Sequence, residues 1–190
     1  TSAGGTSVLN VAWWDGEAWL PMSGGLDAPV RALAVPADGK LYAGGSFGFA
    51  GGLPIRNIAV WEGHQWQAVG GGVGAAVNAL EVATDGALIV GGAFETAGGE
   101  DATHVAVWRG GAWSALGAGL PAEVTALAAD RAGRIYAVTS ALNISGQLDY
   151  QVWMWSGETW TELRSTSFRI FDVAVGHDGT VYIAGTFPGG

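Results

Sequence analysis

Two tryptophan ladders run through the chain in lockstep. Trp14, Trp61, Trp108 and Trp155 stand 47 residues apart, and Trp19, Trp66, Trp113 and Trp160 follow them five residues later in each case. A repeat of this length is one supersecondary unit that cannot bury its apolar face alone, so the copies must stack against one another. The units run 1–47, 48–94, 95–140 and 141–187, and together they make a single domain spanning 1–190.

Each unit carries the same landmarks. A Gly-rich loop (Ala3-Gly4-Gly5, Ala50-Gly51-Gly52, Ala97-Gly98-Gly99) precedes a short run ending in Trp: VAWW at 11–14, IAVW at 58–61, VAVW at 105–108, VWMW at 152–155. A turn holding Gly16, Gly63, Gly110 or Gly157 leads to the second Trp. Two apolar runs close the unit, VRALAV (30–35) with LYAGGSF (41–47) in the first copy and their equivalents at 77–82 with 88–94, 124–129 with 135–140, and 170–175 with 181–187. Asp38-Gly39, Asp85-Gly86 and Asp178-Gly179 separate these runs and supply the positive-φ positions of tight hairpins; Ala132-Gly133 stands there in the third copy. Apolar residues never recur at helical spacing over ten or more positions, so no helix is expected.

Four short antiparallel strands per unit of about 40–50 residues predict an all-β fold, a β-propeller of four-stranded blades. The pattern W-x-G-x-x-W…G-G-x-F, as in Trp61-Glu62-Gly63 to Trp66 and Gly91-Gly92-Ala93-Phe94, looks like a kelch-type blade. It resembles still more closely the Trp- and Gly-rich repeats of fungal cortical polarity-marker proteins and of bacterial surface proteins. The resemblance covers the whole chain and implies the propeller fold; it assigns no activity, because propellers host many. Kelch-fold enzymes of the galactose-oxidase kind need a copper site that includes Cys, and this chain has none. The fourth unit departs from the pattern: Asn143-Ile144-Ser145-Gly146 replaces the Ala-Gly-Gly loop, and Val138-Thr139 replaces the preceding Gly-Gly.

Charge narrows the function classes. A net charge of −9 with eight Lys and Arg argues against nucleic acid, whose affinity rests on cations neutralising phosphates, and against anionic membrane surfaces. Apolar runs of about six residues are far short of the ~20 of a membrane-spanning helix. With no cysteine there are no disulfides and no thiolate metal sites within the chain. The chain begins inside a repeat without Met, as a mature or trimmed product would. Acidic, Gly-rich and Cys-free, with a glycosylation sequon at Asn143-Ile144-Ser145, it reads as extracellular or cell-surface.

No chemistry-bearing constellation is visible. His64 and His177 fall in turns and His104 opens a strand, none at metal-ligand spacing. GGVGAAVNA (71–79) lacks the Lys and the following helix of a phosphate loop. Glu100-Asp101 is a local acidic pair, read as a solvated loop rather than a calcium site. No cofactor, no metal and no enzymatic activity are expected.

The eight periodic tryptophans read as blade-to-blade core, each indole hiding ~150–250 Å² when buried. Trp13 and Trp153 break the period and are the two candidate ligand platforms. In a four-stranded blade the long connections all emerge on one face, here 21–29, 47–57, 68–76, 94–104, 115–123, 140–151 and 162–169. Binding concentrates on loops held by a rigid scaffold. Candidate ligand-binding residues are those that differ among copies: Arg56, Glu100, Asp101, Asn143, Asp149, Tyr150, Arg164 and Arg169, with Trp153. The reading is a non-enzymatic module that binds a protein or a glycan through this face. The alternative is a self-assembling scaffold.

Ring closure poses a separate problem. The chain opens with two outer strands of a blade (11–14 and 19–22) and finishes with two inner ones (170–175 and 181–187), complementary halves that are expected to pair. One chain closing as four blades, a homodimer sharing two blades in an eight-bladed ring, and a piece of a larger propeller all satisfy this, the homodimer being favoured.

Overall fold

The computed structural model describes residues 2–187; Thr1 and 188–190, which the 1–190 domain includes, lie outside the described residues. All regular structure among them is β, apart from turns and bends. The chain opens with β1 (Ser2–Ala3), β2 (Thr6–Ser7), β3 (Ala12–Trp14) and β4 (Trp19–Pro21). The first complete blade is β5 (Val30–Ala34), β6 (Leu41–Gly45), β7 (Ile58–Trp61) and β8 (Trp66–Ala68). The second is β9 (Val77–Val82), β10 (Leu88–Gly92), β13 (Val105–Arg109) and β14 (Ala112–Ala115), with the small hairpin β11 (Thr96–Ala97) and β12 (Glu100–Asp101) between β10 and β13. The third is β15 (Glu123–Ala129), β16 (Ile135–Leu142), β17 (Leu148–Trp155) and β18 (Trp160–Thr166). Strands β19 (Ile170–Val175) and β20 (Val181–Gly185) end the described chain.

Each complete blade is a sequential antiparallel meander, and β5, β9, β15 and β19 stand side by side at its inner edge. The core is accordingly not one cluster but a series of apolar layers between neighbouring sheets. Strands such as β10 are buried at every residue because a blade covers each face. That is why LIVGG and its equivalents read as continuous apolar runs rather than as alternating ones.

The Gly-Gly motif follows from blade spacing. A Cβ on Gly44 would stand 2.4 Å from Cγ1 of Val77 on the next inner strand, and one on Gly91 would stand 2.5 Å from Cγ1 of Val124. The glycines make room for a neighbouring Val, so this motif records close packing between blades.

The third blade differs as the sequence hinted. Connections expected at 140–151 and 162–169 are largely strand. Without an Ala-Gly-Gly loop the ladder continues through Ala141↔Asp149 and Leu142↔Leu148, closed by a turn in which Asn143 Oδ1 accepts the N–H groups of Ser145 and Gln147. Arg164 stands where the earlier copies have the left-handed Gly70 and Gly117, so β18 runs on to Thr166. The result is a hairpin arm rising above the long-loop face.

Among the described residues no strand ladder joins the two ends of the chain. Strands β3–β4 and β19–β20 form two separate two-stranded sheets, with no ladder between them. The first packs on the first blade and the second on the third, leaving three complete blades between them.

Candidate functional site on the long-loop face

Every inner strand carries a β-bulge at the same place. The register slips between Val30 and Ala32, between Val77 and Ala79, between Val124 and Ala126, and between Ile170 and Asp172. The extra residue in each case is Arg31, Asn78, Thr125 or Phe171. A bulge frees one residue from the ladder and re-aims its side chain. All four side chains line one funnel of about 930 Å³ at the long-loop end of the inner strands. Glu123, Ser140, Gln147, Leu148, Tyr150, Phe168 and Arg169 complete much of its wall.

A relay of hydrogen bonds crosses the blades along this arc. Arg31 Nη1 donates to Asn78 Oδ1, and Asn78 Nδ2 donates to the Val124 carbonyl at 2.9 Å. Thr125 Oγ1 donates to the Val138 carbonyl at 3.3 Å. Arg169 lies over the Phe171 ring, 4.9 Å from its centroid. Arg31 and Arg169 make no ion pair with a carboxylate among the described residues. The single acid on the wall, Glu123, accepts from Ser140 Oγ at 3.5 Å. The funnel is thus a cationic spot on a chain of net charge −9. Beside it the arm exposes Leu142, Ile144 and Leu148.

Of the residues expected to bind ligand, Tyr150 lines the funnel, where it is buried, and so does Arg169. Asp149 precedes Tyr150, half-buried opposite Ala141. Asn143 caps the turn of the arm. Arg164 is exposed on β18 opposite Val152. Arg56 is exposed in the first blade, and Glu100 and Asp101 are exposed on β12 of the second, away from the funnel wall. Trp153 donates its indole N–H to Thr139 Oγ1 at 3.0 Å and packs on the core between the second and third blades, while Trp13 stands half-exposed on β3.

Sequence reasoning passed over Arg31, Asn78 and Thr125. Their signal was present: each is the polar second residue of a mostly apolar inner run, recurring at the 47-residue period. It also passed over a corner at Asn10, Asn57 and His104, all at φ of 60–64°. Asn10 and Asn57 donate their side-chain amides to carbonyls sixteen residues ahead, Leu26 and Val73, and His104 Nδ1 meets the Leu120 carbonyl at 2.9 Å in the same way. A carbonyl can only accept, so His104 carries a proton on Nδ1 and stands in for Asn. Among the described residues no three His, Cys, Asp or Glu side chains gather as a metal site would require.

The family model of the Rax2 C-terminal beta propeller domain matches residues 8–187. The chain belongs to this family. Membership in this Rax2-type propeller family accords with the four-stranded antiparallel sheets packed face to face. A search of curated proteins finds no match to the chain.

Proposed function

We propose that this Rax2-type propeller is a non-enzymatic extracellular or cell-surface interaction module. It holds a protein or glycan partner by an anionic group seated in the long-loop funnel. The observation that carries the reading is the arc of bulge residues: four strands each spend a ladder position to aim a side chain into one cavity. Arg31 and Arg169 there have no carboxylate partner among the described residues, although the chain is rich in acids. A carboxylate entering the funnel gains charge-assisted hydrogen bonds of about 1.5–3 kcal/mol each. Phe168 and Phe171 offer faces for a sugar ring or an apolar side chain, and the arm tip extends the contact.

Calorimetry with an acidic peptide and with a uronic-acid oligosaccharide tests this, each against a neutral counterpart. At least one acidic probe binds, and Arg31→Ala with Arg169→Ala weakens it by roughly tenfold or more. Binding of neutral probes alone, unaffected by the double substitution, sinks the reading. Surface biotinylation of intact cells tests the location.

A further inference from the structure

The two incomplete sheets are each other's missing half. In every complete blade the second strand pairs with the first on one side and the third on the other. Strand β20 is a second strand paired only with β19, and β3 is a third strand paired only with β4. Neither open edge carries the charge or the proline that commonly keeps sheet edges from pairing: β20 reads VYIAG and β3 reads AWW. The outer strand β4, whose free edge lies at the blade rim, does carry one, Pro21.

Burial shows what is missing. Tyr182 is 58% exposed, whereas its equivalents Tyr42 and Tyr136 are 7% and 2% exposed. Trp19 is 41% exposed, whereas Trp66 is 1%. The same side chains that form interblade core elsewhere stand in solvent at these two edges.

We propose that a second copy of this chain covers both. Strands β19–β20 of each copy receive β3–β4 of the other. Two shared blades and three complete blades from each chain then close an eight-bladed ring with two-fold symmetry. The interior blades dictate the register. Leu41, Leu88 and Ile135 stand opposite Trp61, Trp108 and Trp155, so Val181 stands opposite Trp14 of the second copy, and Tyr182 opposite Trp13. A second copy fits because it brings strands of the same kind, in the same register, to both edges at once. Further repeats of a longer chain, or an unrelated strand donor, are the rival occupants.

Light scattering on the purified chain reads the mass, expected at twice 19.3 kDa at every loading concentration. Cysteine trapping reads the register and suits a chain that has no cysteine of its own. Opposed Cα atoms in an antiparallel pair stand ~4.5–5.5 Å apart, within reach of a disulfide. A chain carrying Trp13→Cys, co-expressed with one carrying Tyr182→Cys, gives an oxidised band at twice the chain mass that reductant removes. Both positions are already half-exposed, so neither change disturbs the three complete blades, and near-ultraviolet circular dichroism checks this. A single-chain mass at all concentrations overturns the proposal. So does a double variant that cross-links only within one chain, or a dimer whose mixed variants never cross-link.

Discussion

The indole N–H of Trp113 donates to the carbonyl of Val69, 3.0 Å away and one blade earlier. Trp66 does the same to Met22, and Trp160 to Leu116, each reaching back 44 residues. The first tryptophan of each pair tilts against the second, with centroids 5.1–5.6 Å apart and planes at 52–59°. The pairs thus pin each blade's outer hairpin to the blade before it. Of the eight periodic tryptophans, the six from Trp61 onward pack on interblade clusters, while Trp14 and Trp19 are left half-exposed.

Trp66→Ala is expected to lower stability by about 3–5 kcal/mol, the cost of emptying a fully buried indole site. Trp66→Phe is expected to cost less, about 0.5–1.5 kcal/mol, chiefly by removing one of the two donors to the Met22 carbonyl, which keeps the Gly25 N–H at 2.7 Å. Urea unfolding followed by circular dichroism measures both. A negligible cost for Trp66→Phe beside a full cost for Trp66→Ala would show that the hydrogen bond contributes nothing separate from packing.

Gly91→Ala is expected to destabilise by roughly 1–3 kcal/mol. Gly91 is not in the left-handed region, so backbone strain plays no part, and the penalty arises from the new Cβ meeting Val124. Gly91→Ala combined with Val124→Ala should therefore recover part of the loss. An additive double-mutant cycle would separate the two positions energetically.

Asp130 is the single buried charged residue among those described. Burial pushes its carboxyl up, but the Arg134 N–H and guanidinium and the Ala132 N–H outweigh that and hold it below the ordinary aspartate value. A depressed folded-state pKa contributes stability that is fully present above about pH 4, the unfolded value, and is lost as pH falls through the lower folded value. Asp130→Asn is expected to destabilise the chain at pH 7 and to flatten this acid limb. Urea midpoints at pH 7 and pH 3 check it, and an unchanged acid limb would remove Asp130 from the account.

Glu81 behaves in the opposite sense. Burial on β9 raises its pKa above the ordinary glutamate value, against a smaller pull from the Val82 N–H. A raised carboxyl pKa costs stability once pH rises past the unfolded value, about 4.3. Glu81→Gln is therefore expected to stabilise the chain at pH 7, with the gain vanishing below about pH 4. A thermal midpoint that falls at pH 7 would contradict the sign.

Strand identity was legible because each run is short, bounded by Gly turns and repeated. Ile58–Trp61 and Val77–Val82 match the expected 58–61 and 77–82. Arg56, Glu100 and Asp101 were chosen because they differ among copies, yet variation along a chain does not show which face or cavity a side chain enters. The funnel depends on bulges, and a bulge is a mismatch between two strands; the recurring polar second residue of the inner runs marks its place but not where that side chain points. Only Tyr150 and Arg169, chosen for variability alone, fall on the wall.

The sequence by itself determined the unit: its 47-residue period, its four strands, its turn glycines and the tryptophans that mark its outer hairpin. These are local in origin, since propensity, turn chemistry and periodicity act over a few residues. Tertiary structure alone decided that Arg31, Asn78, Thr125 and Phe171 converge, that the ladder of the third blade runs on to Leu142 and Leu148, and that β3 and β20 are not paired with each other. Those features depend on how sheets pack side by side and on where a ladder slips by one residue. Both are properties of pairs of strands far apart in the chain.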